Sequence, residues 1–289
     1  MTIASDLTTI STALTNIKTS IINKGVIPSG NITTYATAID SLNVVQDKTY
    51  LNYWITTSGI TNINTNTTFT INGSGEYKDD LTIIGLNFAN IRLINGFGER
   101  TFRACQSLKF INFDSIETID GKVFWMFRNC QNLTSINFPK LKIFKAGDSG
   151  GAQMFCECIG LKNVEFPSLE ESGGGSGIQG MFYKCSGLEY VSFPMLSRLT
   201  GSYKTDLQGL FQECTNLKDV FFPSLCTSSF TNQNANVMRY MLLNTGTNCI
   251  HTIHFPSNLE TLISTFNSYP LFGGDNGYVT LAFDLPATS

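Results

Sequence analysis

The amino-acid sequence predicts an α+β repeat solenoid, a stack of short parallel strands with an N-terminal helical hairpin and β-rich caps. Three observations support this fold class. A cysteine-centred motif recurs along the chain, apolar and polar residues alternate within each copy, and the 42% hydrophobic content is enough for a large core. Self-similarity at a fixed period of about 20 to 50 residues is typical of repeat architectures.

The motif has the template MFxxCxxLxxVxFPxL and occurs in five clear copies. Successive central cysteines are 25, 28, 27 and 29 residues apart, spacings that lie in the range of leucine-rich repeats. A degenerate copy around Phe88 precedes these five and a last copy around Phe255 follows, so we expect seven units over residues 81–260. The central cysteines are Cys105, Cys130, Cys158, Cys185 and Cys214.

Within each copy, the LxxVxF stretch predicts a short strand. Its branched residue and the phenylalanine two positions later, such as Val191 and Phe193, point to the same face and indicate a core. The proline that follows ends the strand because it has no N–H to donate to a ladder. The MFxxC stretch is too short for a regular helix and is expected to form one turn behind the strand. Since one unit leaves its apolar face half uncovered, stacking must stabilise the fold, and the cysteines should form a buried, reduced column.

The charge of the chain argues against several classes of partner. Only 14% of the residues are charged and the net charge is −3, so no basic field attracts nucleic acid or an anionic membrane. No run of 18 apolar residues occurs, and we expect no membrane insertion. The first ten residues lack the features of a secretory signal, so we expect synthesis in a cytoplasm without signal-directed export.

The template resembles the BspA-like leucine-rich repeats, which occur in many surface and adhesion proteins of bacteria and some protists. The resemblance covers residues 81–260 of the 289. It implies a curved solenoid that presents recognition surfaces and performs no chemistry. The irregular insertions between the copies distinguish this chain from regular members of that family.

An apolar stripe with heptad spacing predicts a helix near the N-terminus. Gly25 is a stop signal for this helix, and a second short helix ending near Leu42 would complete a hairpin over residues 1–45. Leucine at a and isoleucine at d positions favour three or more strands, so a homotrimer is expected if the stripe self-associates. In the alternative, the stripe packs on the second helix. The stripe is Ile3, Leu7, Ile10, Leu14, Ile17 and Ile21.

The N-terminal segment IKTSIINKGVIPSG, followed by TYATAIDSL, is similar to a module of two helices joined by a KG turn that recurs in structural and tail proteins of tailed bacteriophages. This resemblance implies that the hairpin attaches the solenoid to a virion. Residues 46–80 alternate Thr, Ile and Asn and predict a β-rich linker or N-cap. Residues 261–289 are expected to form a C-terminal cap, with TLAFDL as its last strand.

Three motifs suggest chemistry, but their context argues against it. GDSGGA at residues 147–152 is similar to the nucleophile motif of trypsin-like serine proteases, yet both histidines follow it and it lies between repeats. ESGGGSG at residues 171–177 lacks the Lys and the Ser or Thr of a phosphate-binding loop. The CxC at Cys156 has no nearby partner ligands, and the two histidines should point to opposite faces of one strand. The sequence therefore predicts no enzyme, no metal site and no cofactor.

The candidate binding residues are the side chains that flank the buried branched residue of each strand. They point outward, and stacking aligns them in two rows across one sheet. Exposed aromatic residues among amides and acids suit sugars or a protein surface, and the alternative is that they only shield the sheet. The first row is Phe110, Ser135, Asn163, Tyr190, Asp219 and Thr252, and the second row is Asn112, Asn137, Glu165, Ser192, Phe221 and His254.

The sequence favours a non-enzymatic bacteriophage virion protein, such as a tail or head fibre component, whose solenoid contacts protein or glycan. Its partners would be other virion proteins and a host cell-surface protein or glycan, with no nucleic acid, and it would be located in the virion. The alternative is a bacterial or protist surface adhesion or scaffold protein of the BspA-like repeat family, located at the bacterial cell surface.

Overall fold

The chain builds its regular structure from short strands. The computed structural model describes residues 60–62, 68–71, 77–88, 91–97, 99–146, 153–230, 233, 236–246, 250–265 and 279–288. Two 3-10 turns and one short helix, α1 (Glu260–Thr265), accompany the strands in these residues. The strands are β1 (Ile60–Asn62), β2 (Thr68–Ile71), β3 (Gly85–Asn87), β4 (Leu93–Phe97), β5 (Phe110–Asn112), β6 (Thr118–Lys122), β7 (Ser135–Asn137), β8 (Ile143–Ala146), β9 (Asn163–Glu165), β10 (Glu171–Gly174), β11 (Tyr190–Ser192), β12 (Arg198–Leu199), β13 (Asp219–Phe221), β14 (His251–Pro256) and β15 (Val279–Leu285).

The described strands form two parallel ladders along the stack. The first ladder contains the LxxVxF strands and consists of two sheets, with orders β1-β3-β5-β7 and β9-β11-β13-β14-β15. β7 and β9 are neighbours where this ladder is interrupted. The second ladder has the order β2-β4-β6-β8-β10-β12. The predicted solenoid of stacked parallel strands is therefore confirmed.

The second ladder is a feature that the sequence did not predict. Its strands lie in the variable gaps between the repeats, where loops and insertions were expected. The first four residues of ESGGGSG, for example, form β10, which pairs with β8 and β12. Backbone hydrogen bonds hold these strands together, and no single residue type recurs at the inward position of every strand. Register partners along this ladder are Ile94, Ile119, Phe144, Ser172 and Leu199.

Two columns of stacked aromatic rings fill the core. In the first column, which contains the phenylalanine of each LxxVxF strand, neighbouring ring centroids are 4.5 to 5.9 Å apart. In the second column, from the MFxxC stretches, they are 5.2 to 6.1 Å apart. Rings of the two columns meet edge to face, as Phe113 and Phe127 do at 6.0 Å. The first column is Phe88, Phe113, Phe138, Phe166, Phe193, Phe222, Phe255 and Phe283; the second is Tyr77, Phe102, Phe127, Phe155, Phe182 and Phe211.

The five central cysteines are free thiols in the buried column that the sequence predicts. Each thiol also donates a hydrogen bond to a backbone carbonyl of the preceding coil. The Sγ of Cys185 lies 3.0 Å from the carbonyl oxygen of Phe155, and the Sγ of Cys214 lies 3.0 Å from that of Phe182. Burial raises the pKa of the Cys185 thiol well above its ordinary value, so it stays protonated as a donor. Cysteine is small and apolar and has one weak donor, so it suits both the buried site and the hydrogen bond to the carbonyl.

We expect Cys185→Ala to lower the free energy of unfolding by about 1 to 2 kcal/mol, because it removes the hydrogen bond to Phe155 and leaves a small cavity. The control is Cys226→Ala, since the Cys226 thiol lies outside the core cluster and contacts the hydroxyls of Ser228 and Ser229. The control should change stability by about 0.5 kcal/mol or less. Urea unfolding under reducing conditions measures both variants, and equal losses would contradict this role for the column.

The MFxxC stretches form the third side of each coil. They form tight turns, as expected from their length, and their backbone bonds mainly to the next coil. The N–H of Phe155 donates to the carbonyl of Met181 at 3.0 Å, and the N–H of Glu157 donates to that of Tyr183 at 2.8 Å. The residue before each central cysteine has a positive φ, such as 62° at Glu157 and 61° at Lys184. This left-handed residue prevents a helix from continuing.

The ladders extend beyond the seven units that the sequence predicts. β1 and β2, within residues 46–80, pair with β3 and β4, and β15, within residues 261–289, pairs with β14. β14 includes Pro256, which was expected to end it; the register shifts there, and the proline carbonyl can still accept hydrogen bonds. Compactness divides the chain into residues 1–58 and 59–289.

Two predicted features lie outside the described residues. These are the N-terminal hairpin of residues 1–45, with its apolar stripe, and the GDSGGA motif at residues 147–152. Among the helices that are described, none is long and apolar enough to cross a membrane.

Candidate functional site

The two predicted rows of outward side chains lie in register on the first ladder. Every row residue is exposed or half-buried, whereas the residue between the rows, such as Val191, is buried. The interruption between β7 and β9 separates the rows into two groups. Phe110, Asn112, Ser135 and Asn137 belong to the sheet that ends at β7. Asn163, Glu165, Tyr190, Ser192, Asp219, Phe221, Thr252 and His254 belong to the sheet that begins at β9.

Two side chains of the first group have structural roles. The ring of Phe110 lies on the backbone of Gly85, where an added Cβ would be 2.4 Å from the Phe110 Cζ. The Oδ1 of Asn112 accepts a hydrogen bond from the N–H of Asp114 at 2.9 Å and so stabilises the turn after β5. This end of the ladder agrees with the alternative in which row residues shield the sheet.

The second group contains three rings in contact, which we call the aromatic ladder: Tyr190, Phe221 and His254. The centroids of Tyr190 and Phe221 are 5.6 Å apart at an angle of 42°, and those of Phe221 and His254 are 4.2 Å apart and parallel. The three residues come from β11, β13 and β14, which are adjacent in the sheet. Phe221 therefore lies between two rings on a half-exposed surface.

Carboxylates surround the aromatic ladder. The Nδ1 of His254 lies 2.9 Å from Asp284 Oδ2, and its Nε2 lies 3.3 Å from Asp219 Oδ1. Side-chain exposure is 16% for His254 but 44% for Asp219 and 54% for Asp284, so both aspartates keep a solvent-facing side. Glu165 is exposed on β9, which is the edge strand opposite β15 in the same sheet. We call Tyr190, Phe221 and His254 with these three carboxylates the ladder face.

Several glutamates of the described surface form ion pairs with Lys or Arg that the carboxylates of the ladder face lack. Elsewhere, glutamates pair with Lys or Arg of an adjacent coil, as Glu157 does with Arg128 at 2.8 Å and Glu189 with Lys218 at 2.7 Å. Among the described residues, no Lys or Arg forms an ion pair with a carboxylate of the ladder face. Asp219 and Asp284 instead contact the imidazole of His254.

Other described residues that could act in catalysis or bind metal are buried in the core. His251 is buried, and its Nδ1 bonds the carbonyl of Leu217. His251 and His254 thus point to opposite faces, as the alternation predicts. Burial raises the pKa of Cys156 to about 12, which disfavours a thiolate ligand. Within the described part of the chain, no group of three His, Cys, Asp or Glu is arranged to hold a metal ion.

Sequence reasoning missed Asp284, which belongs to the site. The side chain comes from β15, outside the repeated template, and reaches His254 across the last strand pair. The alternation in TLAFDL was the available signal, because it places Asp284 on the same face as Thr280 and Ala282. Pairing with β14 could not be read from the sequence.

The fold is a solenoid of stacked parallel strands, and a surface of aromatic and acidic side chains lies on its first ladder. The chain belongs to the BspA type leucine rich repeat family, whose profile matches residues 33–149, 98–228 and 126–269 with six copies of the repeat. Among solved structures, it is similar to the crystal structure of a T. pallidum leucine rich repeat protein, TpLRR, with 22% identity, a TM-score of 0.36, and coverage of 56% of this chain and 72% of that chain. No curated protein matches the chain.

Proposed function

We propose that this protein is a non-enzymatic binding protein of the surface and adhesion kind, and that it binds its partner through the ladder face. The family supports a binding scaffold. The single observation that supports this surface is the aromatic ladder, because contiguous half-exposed rings beside solvent-facing carboxylates are typical of recognition surfaces. This proposal corresponds to the alternative that the sequence offered, a surface adhesion or scaffold protein of bacteria or protists.

The finer assignment to a bacteriophage virion is a second proposal. It is supported by the similarity of residues 17–42 to the two-helix module of phage tail proteins. Under this proposal the hairpin attaches to other virion proteins, a homotrimer forms through the apolar stripe, and the solenoid contacts a host surface. Neighbouring genes for capsid, portal or tail proteins would support it, and a chromosomal family of similar repeat proteins would favour the surface protein instead.

Arrays of defined peptides and glycans test the binding surface. We expect the full chain to bind a subset of array members, and the double variant Tyr190→Ala/Phe221→Ala to lose at least tenfold in signal, because it removes the apolar contact area. The matched control is Tyr203→Ala/Ile159→Ala, which removes exposed apolar groups outside the ladder face. Circular dichroism checks the fold of each variant. Equal signals for the two double variants would overturn the proposal.

A further inference from the structure

Building on the proposed function, we propose that the occupant of the ladder face is an extended peptide segment that carries Lys or Arg side chains. The partner would lie across the strands, along the axis of the solenoid. Its cationic groups would reach the three carboxylates, and its methylene stems would cover the edges of the rings.

The arrangement of charge favours a cationic partner. Glu165 on β9, Asp219 on β13 and Asp284 on β15 occupy both ends and the middle of the five-strand sheet. No Lys or Arg of the described residues forms an ion pair with them, although lysines pair with Glu189 nearby. A partner that brings Lys or Arg would therefore supply the ion pairs that adjacent coils supply to other acidic residues of this surface.

The apolar part of the face matches the stems of the same side chains. Lys and Arg place their methylene groups on apolar surface while the charged end reaches outward. The aromatic ladder presents ring edges flanked by carboxylates, so methylene stems can cover the rings while the charged ends reach the carboxylates. At the β9 end, the register partner of Tyr190 is the short and exposed Asn163, so a guanidinium has room beside the Tyr190 ring.

The same geometry disfavours a glycan. Sugars bind aromatic side chains by stacking on an open ring face. Phe221 lies between the rings of Tyr190 and His254, and the parallel imidazole, 4.2 Å away, covers one of its faces. The side chains of a peptide can pack against the exposed edges of the rings.

The size of the sheet sets the length of the segment. Five strands about 4.8 Å apart span about 19 Å, which an extended chain covers with about six residues. β9 and β13 are two strand spacings or about 10 Å apart, as are β13 and β15, and the carboxylates of Asp219 and Asp284 lie on either side of the His254 ring. Basic residues two or three positions apart would meet successive carboxylates.

A fluorescent seven-residue peptide of alternating arginine and threonine is the probe, and the same peptide with citrulline for arginine is its neutral match. We expect the arginine peptide to bind the full chain at low salt at least tenfold more tightly than the citrulline peptide, as measured by fluorescence anisotropy. Asp219→Asn/Asp284→Asn should weaken the arginine peptide at least tenfold, and raising the salt should also weaken it. Chito-oligosaccharides are tested alongside as neutral glycans.

The control variant is Asp120→Asn/Glu117→Gln, which removes two exposed carboxylates at β6 in the second ladder and should change binding less than twofold. Equal binding of the arginine and citrulline peptides, or equal weakening by the two double variants, would overturn the cationic segment. If chito-oligosaccharides bind instead and Tyr190→Ala/Phe221→Ala abolishes their binding, the cationic segment is wrong and the proposed function stands. If arrays and probes all fail to distinguish that variant from the wild type, the proposed function fails as well.

Discussion

Replacing Phe222 by alanine should lower the free energy of unfolding by about 3 to 5 kcal/mol. The Phe222 ring is fully buried and stacks between the rings of Phe193 and Phe255, with centroid distances of 5.2 and 5.7 Å. Truncation removes both ring contacts and leaves a cavity in the first aromatic column. Backbone hydrogen bonds to the adjacent coils, in the first ladder and at the turn around Phe211, fix the spacing of its neighbours, so the cavity cannot close. Urea unfolding followed by circular dichroism measures the loss.

The neighbouring Phe221→Ala is a matched control, because the two phenylalanines are adjacent in the chain and differ in the direction they point. Phe221 is half-exposed on the ladder face, so its truncation should cost about 1 kcal/mol or less while it weakens binding. A similar loss of stability in both variants would contradict the division into inward and outward residues at β13.

The parts of the fold that the sequence predicts are those in which every coil meets the same constraint. Cys158 and Cys185 face equivalent carbonyls, and Phe166 and Phe193 stack on equivalent rings, so the same residue type recurs at each level. The second ladder lacks this uniformity. Phe144 and the next residue in its column, Ser172, differ in size and polarity, and backbone bonds hold them in register. The strands of the second ladder therefore have no recurring sequence motif by which they could be recognised.

The same reasoning divides the candidate site. Alternation with a period of two places Tyr190 and Phe221 on the outer face, and that much follows from the sequence. Contact between Phe221 and His254 depends on β14, and the carboxylate of Asp284 depends on a parallel pairing with a strand that follows a long connection. These contacts are tertiary and belong to the last coils, where the repeat pattern ends. The sequence therefore predicts the rows but not the cluster within them.

The glycine-rich stretch at residues 171–177 has a structural role that motif searching missed, because it closes around the buried carboxylate of Asp206. Gly177 has a φ of +56°, and a Cβ there would lie 2.3 Å from Ser172 Oγ and 2.4 Å from Asp206 Oδ1. Only glycine fits such an approach. The carboxylate accepts hydrogen bonds from the Ser172 hydroxyl at 3.0 Å and from the Gly201 N–H at 3.1 Å.

This buried carboxylate should make stability depend on pH. Burial raises the pKa of Asp206 from 3.8 to about 6, and the hydrogen bonds from Ser172, Gly201 and Gln233 offset burial only in part. Because the folded state holds the proton more tightly than the unfolded state, the contribution of Asp206 is fully present below pH 3.8 and is lost as the pH rises through about 6. The difference between these two pKa values corresponds to about 3 kcal/mol.

Exposed acids act in the opposite direction. The pKa of Glu189 is lowered by its hydrogen bond to Lys218, and that of Asp80 by its hydrogen bonds to Thr82. Their contributions are present at neutral pH and are lost on acidification. The pH profile of the wild-type protein is therefore a sum of opposing terms, and a difference between two proteins is needed to isolate Asp206.

Asp206→Asn provides that difference, since it keeps the shape of the side chain and removes its titration. Relative to the wild type, we expect the variant to gain stability as the pH rises from 4 to 7, by up to about 3 kcal/mol, with most of the gain completed near pH 6. Urea unfolding at a series of pH values measures the difference. A flat profile for Asp206→Asn would contradict the raised pKa. It would mean that water reaches the carboxylate in the folded state, because burial then no longer disfavours the charged form.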